Sequence, residues 1–200
     1  MMSEQRRARR ILLCAAGSYQ SFMLPGFIMS LLQNFADDVQ VVVSPAAKKL
    51  VSIYSVEAAS RHKVFVEMDD EGPGVFVPHI ELGRDVDLVL VYPATINIMG
   101  KVANGIADEL IAAIILATSA PVVFVPIANE AMWRHPAARR NLETLRQDGY
   151  IVLPPLPGWE VATREGIAQL PPFPIPTLLA QMSAAISAES TAGRARRTSD

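Results

Sequence analysis

Cysteine is nearly absent: the 200 residues contain one, Cys14. A single thiol excludes an internal disulfide framework and any zinc site built from several cysteines, and it fits a reducing, cytoplasmic setting. An excess of charge is missing too. Lys and Arg number 18 against 20 Asp and Glu, a formal net charge of −2. The chain therefore lacks the basic stripe with which nucleic-acid binders displace counterions, and no nucleic-acid partner is expected. Neither a GxGxxG dinucleotide fingerprint nor a Walker loop with its lysine occurs, which disfavours the usual NAD mode and excludes P-loop nucleotide hydrolysis. Only 3 histidines are present, and no two stand at metal-ligand spacing, so no metal is expected.

What remains is apolar. Half of the residues are hydrophobic and 19% are charged, enough to bury a sizeable core in one domain. Two stretches imitate targeting segments. The opening RRARR followed by ILLCAA looks like a signal peptide, but its apolar part is short and ends in Gly17 without a clear cleavage site. Residues 110–128 carry no charge and are long enough to span a bilayer, yet Thr118, Ser119, Pro121 and Pro126 divide them into a helix end, a turn and a strand. The expectation is a chain with no membrane partner.

Hydrophobic periodicity alternates along the chain. Short apolar runs at 11–16, 39–43, 87–92, 122–125 and 150–153 read as buried parallel strands. Helical spacing occupies 22–35, 46–59, 99–117 and 130–147, with a single turn starting at His79 and a short KVFVE strand before it. Strands separated by such helices form a parallel sheet covered on both faces, a Rossmann-like three-layer α/β sandwich. Ligands of such sheets bind beyond the carboxyl ends of the strands. The segments to inspect are therefore 16–21, 44–48, 93–99 and 126–133. After Leu153 the texture changes: Pro154, Pro155, Pro157, Pro171, Pro172, Pro174 and Pro176 cannot lie in a central sheet. A short helix to about Ile186 follows, and 187–200 read as a disordered tail.

At the first strand tip, Gly17-Ser18 enters a helix, where unpaired backbone N–H groups and the helix dipole favour an anion; a plain helix cap is the competing reading. His62 lies in a polar RHK patch and reads as a surface residue. His135, in WRHP, reads as a helix cap. His79 opens a turn leading to Glu81 and Asp85, and spacing alone gives it no catalytic role.

Four linked segments carry more. They are His79-Ile80-Glu81-Leu82; Pro93-Ala94-Thr95-Ile96-Asn97-Ile98; Gly100-Lys101-Val102-Ala103-Asn104-Gly105-Ile106-Ala107-Asp108; and Pro126-Ile127-Ala128-Asn129-Glu130-Ala131-Met132-Trp133. In order and spacing, over about residues 10–155, they resemble the homo-oligomeric flavin-containing cysteine decarboxylases. That family shows a His before an IEL-type turn, a PxSANT-like loop, a GK-A-GxxDxLL helix and a PxMNxxMW segment. Thr95 stands for the loop's usual Ser, Ile98 for its final Thr, and Ala128 for the usual Met.

The resemblance implies a flavodoxin-like flavoprotein spanning 1–186, with 154–176 as a substrate clamp. It implies an FMN site, with FAD as the alternative, at Gly17, Ser18, Tyr19, Ser44, Pro45, Ala46, Thr95, Ile96, Asn97, Ile98 and Ala128. His79 matches the catalytic histidine, and Asn97, Asn129, Met132 and Trp133 match substrate-side positions. Asn104 and Asp108 read as residues that cap or bridge helices. The family also implies trimers, often gathered into dodecamers.

The chemistry suits those residue types. A cysteine carboxylate leaves with difficulty because the developing carbanion has no electron sink. Oxidation of the carbon bearing sulfur, with a flavin as acceptor, lets the charge spread onto sulfur as CO2 departs. A histidine titrating near neutrality can handle the proton, and asparagines can orient the carboxylate as neutral donors. The phosphopantothenoylcysteine decarboxylases of coenzyme A synthesis use a late cysteine as proton donor, and 154–176 contain none. The sequence also shows no fused ligase segment. The expected activity is thus oxidative decarboxylation of a Cys-terminated precursor peptide, as in lantibiotic biosynthesis. The alternatives are the coenzyme A enzyme and a non-catalytic flavin-binding regulatory subunit.

Overall fold

The structure, a computed structural model, describes residues 8–159, 164, 167–170 and 175–197. The strands are β1 (Ala8–Ala15), β2 (Ala36–Val43), β3 (Leu88–Thr95), β4 (Val122–Asn129), β5 (Ile151–Val152), β6 (Leu156–Trp159) and β7 (Ile167–Leu170). The helices are α1 (Leu24–Asn34), α2 (Ile53–Ser60), α3 (Pro78–Glu81), α4 (Ile96–Ala103), α5 (Leu110–Ala117), α6 (Glu130–Arg134), α7 (Pro136–Gln147) and α8 (Ile175–Arg197).

Strands β2, β1, β3, β4 and β5 lie side by side in parallel, the flavodoxin-like order expected of the fold. Alternation along each strand feeds two cores. Ile11, Leu13 and Ala15 of β1 pack with Leu90, Tyr92, Val123 and Val125 beneath α1, α2 and α8. Leu12, Cys14 and Ala16 pack with Val89, Val91, Phe124 and the apolar faces of α4, α5 and α7 on the other side. A strand buried on both faces has no polar side to show, so it reads as a continuous apolar run.

Before β5, four expectations need correction. The helix expected over 99–117 is two, α4 and α5. Asn104 ends α4, Gly105 takes φ 68°, and Glu109 opens α5 in extended backbone. The helix over 130–147 breaks at His135-Pro136, where the His135 ring nitrogen Nδ1 accepts from the Ala137 N–H at 3.2 Å and caps α7. The one over 46–59 is a 3-10 turn, Ala47–Lys49, and then α2 capped by Ser52. The KVFVE strand reduces to one bridge, Phe65 beside Val42.

Beyond β5 the chain forms an antiparallel hairpin. β6 pairs with β7, and β7 pairs with β4 at Ala128 and Asn129. Pro157 sits in β6, at the sheet's edge, where a missing N–H is tolerated. This hairpin occupies the segment expected to be a clamp; residues 160–163, 165–166 and 171–174 of that segment lie outside the described residues, as do 198–200 of the expected tail. The expected short helix is longer: α8 continues through Ile186 to Arg197. Its Ala-rich composition favours that extension. Among the described residues no helix is long and apolar enough to cross a membrane; residues 110–128 divide into α5 and most of β4.

Tyr92 lies against Phe27, ring centroids 4.1 Å apart. Burial, and then the neighbouring Tyr19, raise its phenol pKa to about 12. The unfolded phenol ionises near 10. Stability from Tyr92 is thus complete below pH 10 and declines as pH rises toward 12. The decline should reach up to about 3 kcal/mol. Urea unfolding across this range should show a smaller alkaline decline for Tyr92→Phe than for the native chain.

Candidate active site

A cavity of about 790 Å³ opens beyond the carboxyl ends of β1, β2, β3 and β4, within the range of roughly 300–1,000 Å³ typical of small-molecule sites. The strand order reverses between β1 and β3, the position at which open α/β sheets bind ligands. Four loops supply its walls, and each ends in a side chain that caps the following turn or helix. The Ser18 hydroxyl accepts from the Gln20 N–H at 3.4 Å, while Ser21 returns the favour to the Ser18 N–H at 3.4 Å. The Ser44 hydroxyl accepts from the Ala47 N–H at 3.1 Å. Thr95 Oγ1 accepts from the Ile98 N–H at 3.4 Å, and Asn129 Oδ1 from the Met132 N–H at 2.8 Å. A cap and a wall are thus the same residue, and the two readings of Gly17-Ser18 are compatible.

Gly17 has a steric reason. A Cβ added there would stand 2.4 Å from the Ala46 Cβ and 3.2 Å from the Ala46 carbonyl carbon. Only a glycine lets the β1 and β2 loops close on each other at the cavity floor.

The structure brings together Gly17, Ser18, Tyr19, Ser44, Pro45, Ala46, Thr95, Ile96, Asn97, Ile98 and Ala128, together with Asn129 and Met132. Asn97 is exposed on that wall, and its side chain has no hydrogen bond among the described residues. Trp133 does not line the cavity; it packs, partly buried, against the core of α4, α5 and α7. His79 does not line it either. It sits half-buried in α3, and the segment after it is pinned to the far end of α5, where Thr118 Oγ1 donates to the Gly83 carbonyl at 2.6 Å. Of the residues that the resemblance implies for the site, His79 and Trp133 are thus the two outside this cavity's lining.

Lys101 and Glu109 also line the cavity and were not among the expected site residues. Lys101 lies four residues after Asn97, hence on the same face of α4. Its ammonium contacts Asp108 and Glu109 at 2.8 Å each, and the hydrogen bonds it donates to Asp108 first and Glu109 second raise its pKa. The cavity's cation is thus already paired. Asp108 bridges helices as expected, as does Asn104, which donates to the Gly100 carbonyl at 2.8 Å and to Asn141 Oδ1 at 3.4 Å. Cys14 is fully buried in β1, and burial pushes its thiol pKa upward. No cluster of metal-ligating side chains occurs among the described residues.

The Flavoprotein family profile matches residues 1–181, and the chain belongs to that family. It is 37% identical over 151 residues to the coenzyme A biosynthesis bifunctional protein CoaBC of Bacillus subtilis (strain 168), an alignment covering 76% of this chain and 37% of that protein. The chain thus spans well under half the length of this relative. Mersacidin decarboxylase of Bacillus sp. (strain HIL-Y85/54728) is 32% identical over 157 residues, 78% of this chain and 79% of that one. Among solved structures, the FMN-dependent cysteine decarboxylase SpaF is similar with a TM-score of 0.74 and 30% identity, over 88% of this chain and 97% of that chain.

The Gly17 contact makes a direct prediction. Gly17→Ala should force the two loops apart and weaken FMN binding by roughly 5- to 150-fold, the equivalent of ~1–3 kcal/mol of overpacking. Adding Ala46→Gly should restore much of it. Titration of each apoprotein with FMN, followed by fluorescence quenching, measures both.

Proposed function

We propose that this member of the Flavoprotein family is a flavin-dependent decarboxylase that acts oxidatively on the C-terminal cysteine of a precursor peptide, releasing CO2 and an aminoenethiol. The observation that carries the peptide reading is the position of the chain's single thiol. Cys14 is buried in β1 between β2 and β3, and its pKa is raised, so it cannot protonate a substrate in the cavity. The reductive last step of the coenzyme A branch, which needs a cysteine in the late segment, has no donor within this chain. A chemistry that stops at the enethiol needs none.

The residues present fit a flavin. The walls are mostly apolar at Pro45, Ile96, Ile98, Ile127, Ala128 and Met132, with a few convergent polar groups at Ser18, Ser44, Thr95 and Asn97, the usual make-up of a cofactor site. The loops carrying Gly17, Ser18 and Tyr19, then Ser44, Pro45 and Ala46, then Thr95 to Ile98, with Ala128, would hold FMN; FAD is the alternative. A flavin bound there supplies a two-electron acceptor for the two hydrogens that the cysteine loses along with CO2.

The protein's own contribution is orientation and proton handling. Asn97 has an unengaged amide on the cavity wall, suited to a carboxylate or peptide group as a neutral donor. Asn129 has its oxygen committed to Met132, which leaves its amide NH2 for the substrate. Met132 is half exposed on the same wall and offers an apolar contact for the cysteine side chain. His79 serves as the proton handler. Because it stands outside the lining of its own chain's cavity, this role requires a homo-oligomer in which His79 of one copy meets the cavity of another, a trimer or a dodecamer built of trimers. Exposed Phe76, Val77 and Ile80 beside it are the kind of apolar surface such a contact would cover.

Incubation with Cys-terminated peptides, read by mass spectrometry, should show loss of CO2 together with two hydrogens. Loss of CO2 alone, from phosphopantothenoylcysteine, would favour the coenzyme A reading. His79→Asn should retain flavin yet abolish CO2 loss. Mixing dissociated His79→Asn and Asn129→Ala chains and letting them reassemble should recover turnover if each site draws on two copies.

A further inference from the structure

The four-residue helix that carries His79 has an unusual start. Its N-cap is Val77, which has no side-chain oxygen to meet the unpaired N–H groups of the first turn. Ordinarily Ser, Thr, Asp or Asn does this work. Here Glu81, at the helix's other end, reaches back instead to the two amides that precede the first turn. One carboxylate oxygen, Oε2, accepts from the Phe76 N–H at 2.5 Å and from the Val77 N–H at 2.7 Å. The Val77 distance is that of a charge-assisted bond.

Packing holds this side of the turn only at Val75 and Pro78. Phe76 is 78% exposed, and Val77 and Ile80 are each 45% exposed. Downstream the chain is anchored differently. Leu82 is buried, and the Gly83 carbonyl takes the Thr118 hydroxyl. Between the two anchors the backbone runs Pro78, His79, Ile80, closed by the Ile80 and Glu81 N–H groups on the Val77 carbonyl at 3.0 Å each. His79 therefore sits on a turn held upstream by Val75 against the core, by buried Pro78 and by the Glu81 carboxylate, which alone binds the Phe76 and Val77 amides among the described residues.

We infer that Glu81 is a positioning residue for His79: by binding the Phe76 and Val77 amides it fixes the turn on which the imidazole stands. This rests on the proposal that His79 handles the substrate proton. Glu81 does not line the cavity, so its loss should leave the flavin in place. The lowered pKa of its carboxyl, caused by those backbone bonds from Val77 and Phe76, agrees with an anionic acceptor.

The experiment compares Glu81→Ala, Glu81→Gln and His79→Asn in the FMN-loaded full chain. Hydrogen exchange at the Phe76 and Val77 amides needs no substrate and reads the anchor directly. Turnover of a Cys-terminated peptide reads its consequence. Glu81→Ala should speed exchange at both amides and lower kcat by about tenfold, the scale of one lost cap, with KM and flavin content unchanged. Glu81→Gln keeps an acceptor oxygen and should recover to within about threefold of the native kcat, since a neutral acceptor is weaker than a charged one. Unchanged amide exchange in Glu81→Ala overturns the inference. So does native kcat in Glu81→Ala while His79→Asn is inactive, and so does a fall in kcat that tracks an equal loss of bound flavin. Native turnover in His79→Asn would instead remove the catalytic reading itself, and the inference with it.

Discussion

A parallel sheet delivers every strand to the same edge, and every strand there must become a turn or helix. That constraint governs this molecule. The N–H groups at each such start have no partner within their own helix, and each strand tip answers with one polar side chain: Ser18, Ser44, Thr95 and Asn129. Converging caps bring converging donors and aligned dipoles, a setting in which negative charge is favoured. The cavity is a product of closing the fold correctly. The close approach of Gly17 to Ala46 belongs to the same requirement, since loops that crowd one edge leave little room for side chains.

Electrostatically the site is restrained. Its ammonium, on Lys101, is held by Asp108 and Glu109, so the polar groups left to meet a ligand are hydroxyls, amides and backbone. Burying a free charge beside a cofactor would raise a desolvation penalty that neutral donors avoid. The ion cluster instead joins the end of α4 to the start of α5 across the Asn104-Gly105 break, and so fixes the wall that Asn97 occupies.

Much of this was legible in the sequence, for definite reasons. Strands buried on both faces have one signature, an apolar run, and β1 to β4 all show it. The cavity-lining loops were found because strand tips are where ligands bind and because four spaced motifs occurred in order. The errors were of two kinds. Helix breaks at Asn104 to Glu109 and at His135 were hidden because apolar spacing continues across them, while the backbone is redirected by Gly105 and by a histidine that caps. That His79 is not among the cavity-lining residues was not legible for another reason. A motif records which residues a family keeps together; it says nothing about which of them line a given cavity. Lys101 and Glu109 were missed because an ion pair between successive helices leaves no periodic mark.

The edge of β4 is shared out in a way that bears on the hairpin. Its first half pairs with β5 through Val123 and Phe124, and its last two residues, Ala128 and Asn129, pair with β7. Those last two are also cavity wall, and Asn129 caps α6. The hairpin is thus wired by main-chain bonds to a residue of the cavity wall. Any shift of β7 along β4 would therefore be passed through the main chain to Asn129, whose side chain starts α6 at the cavity wall.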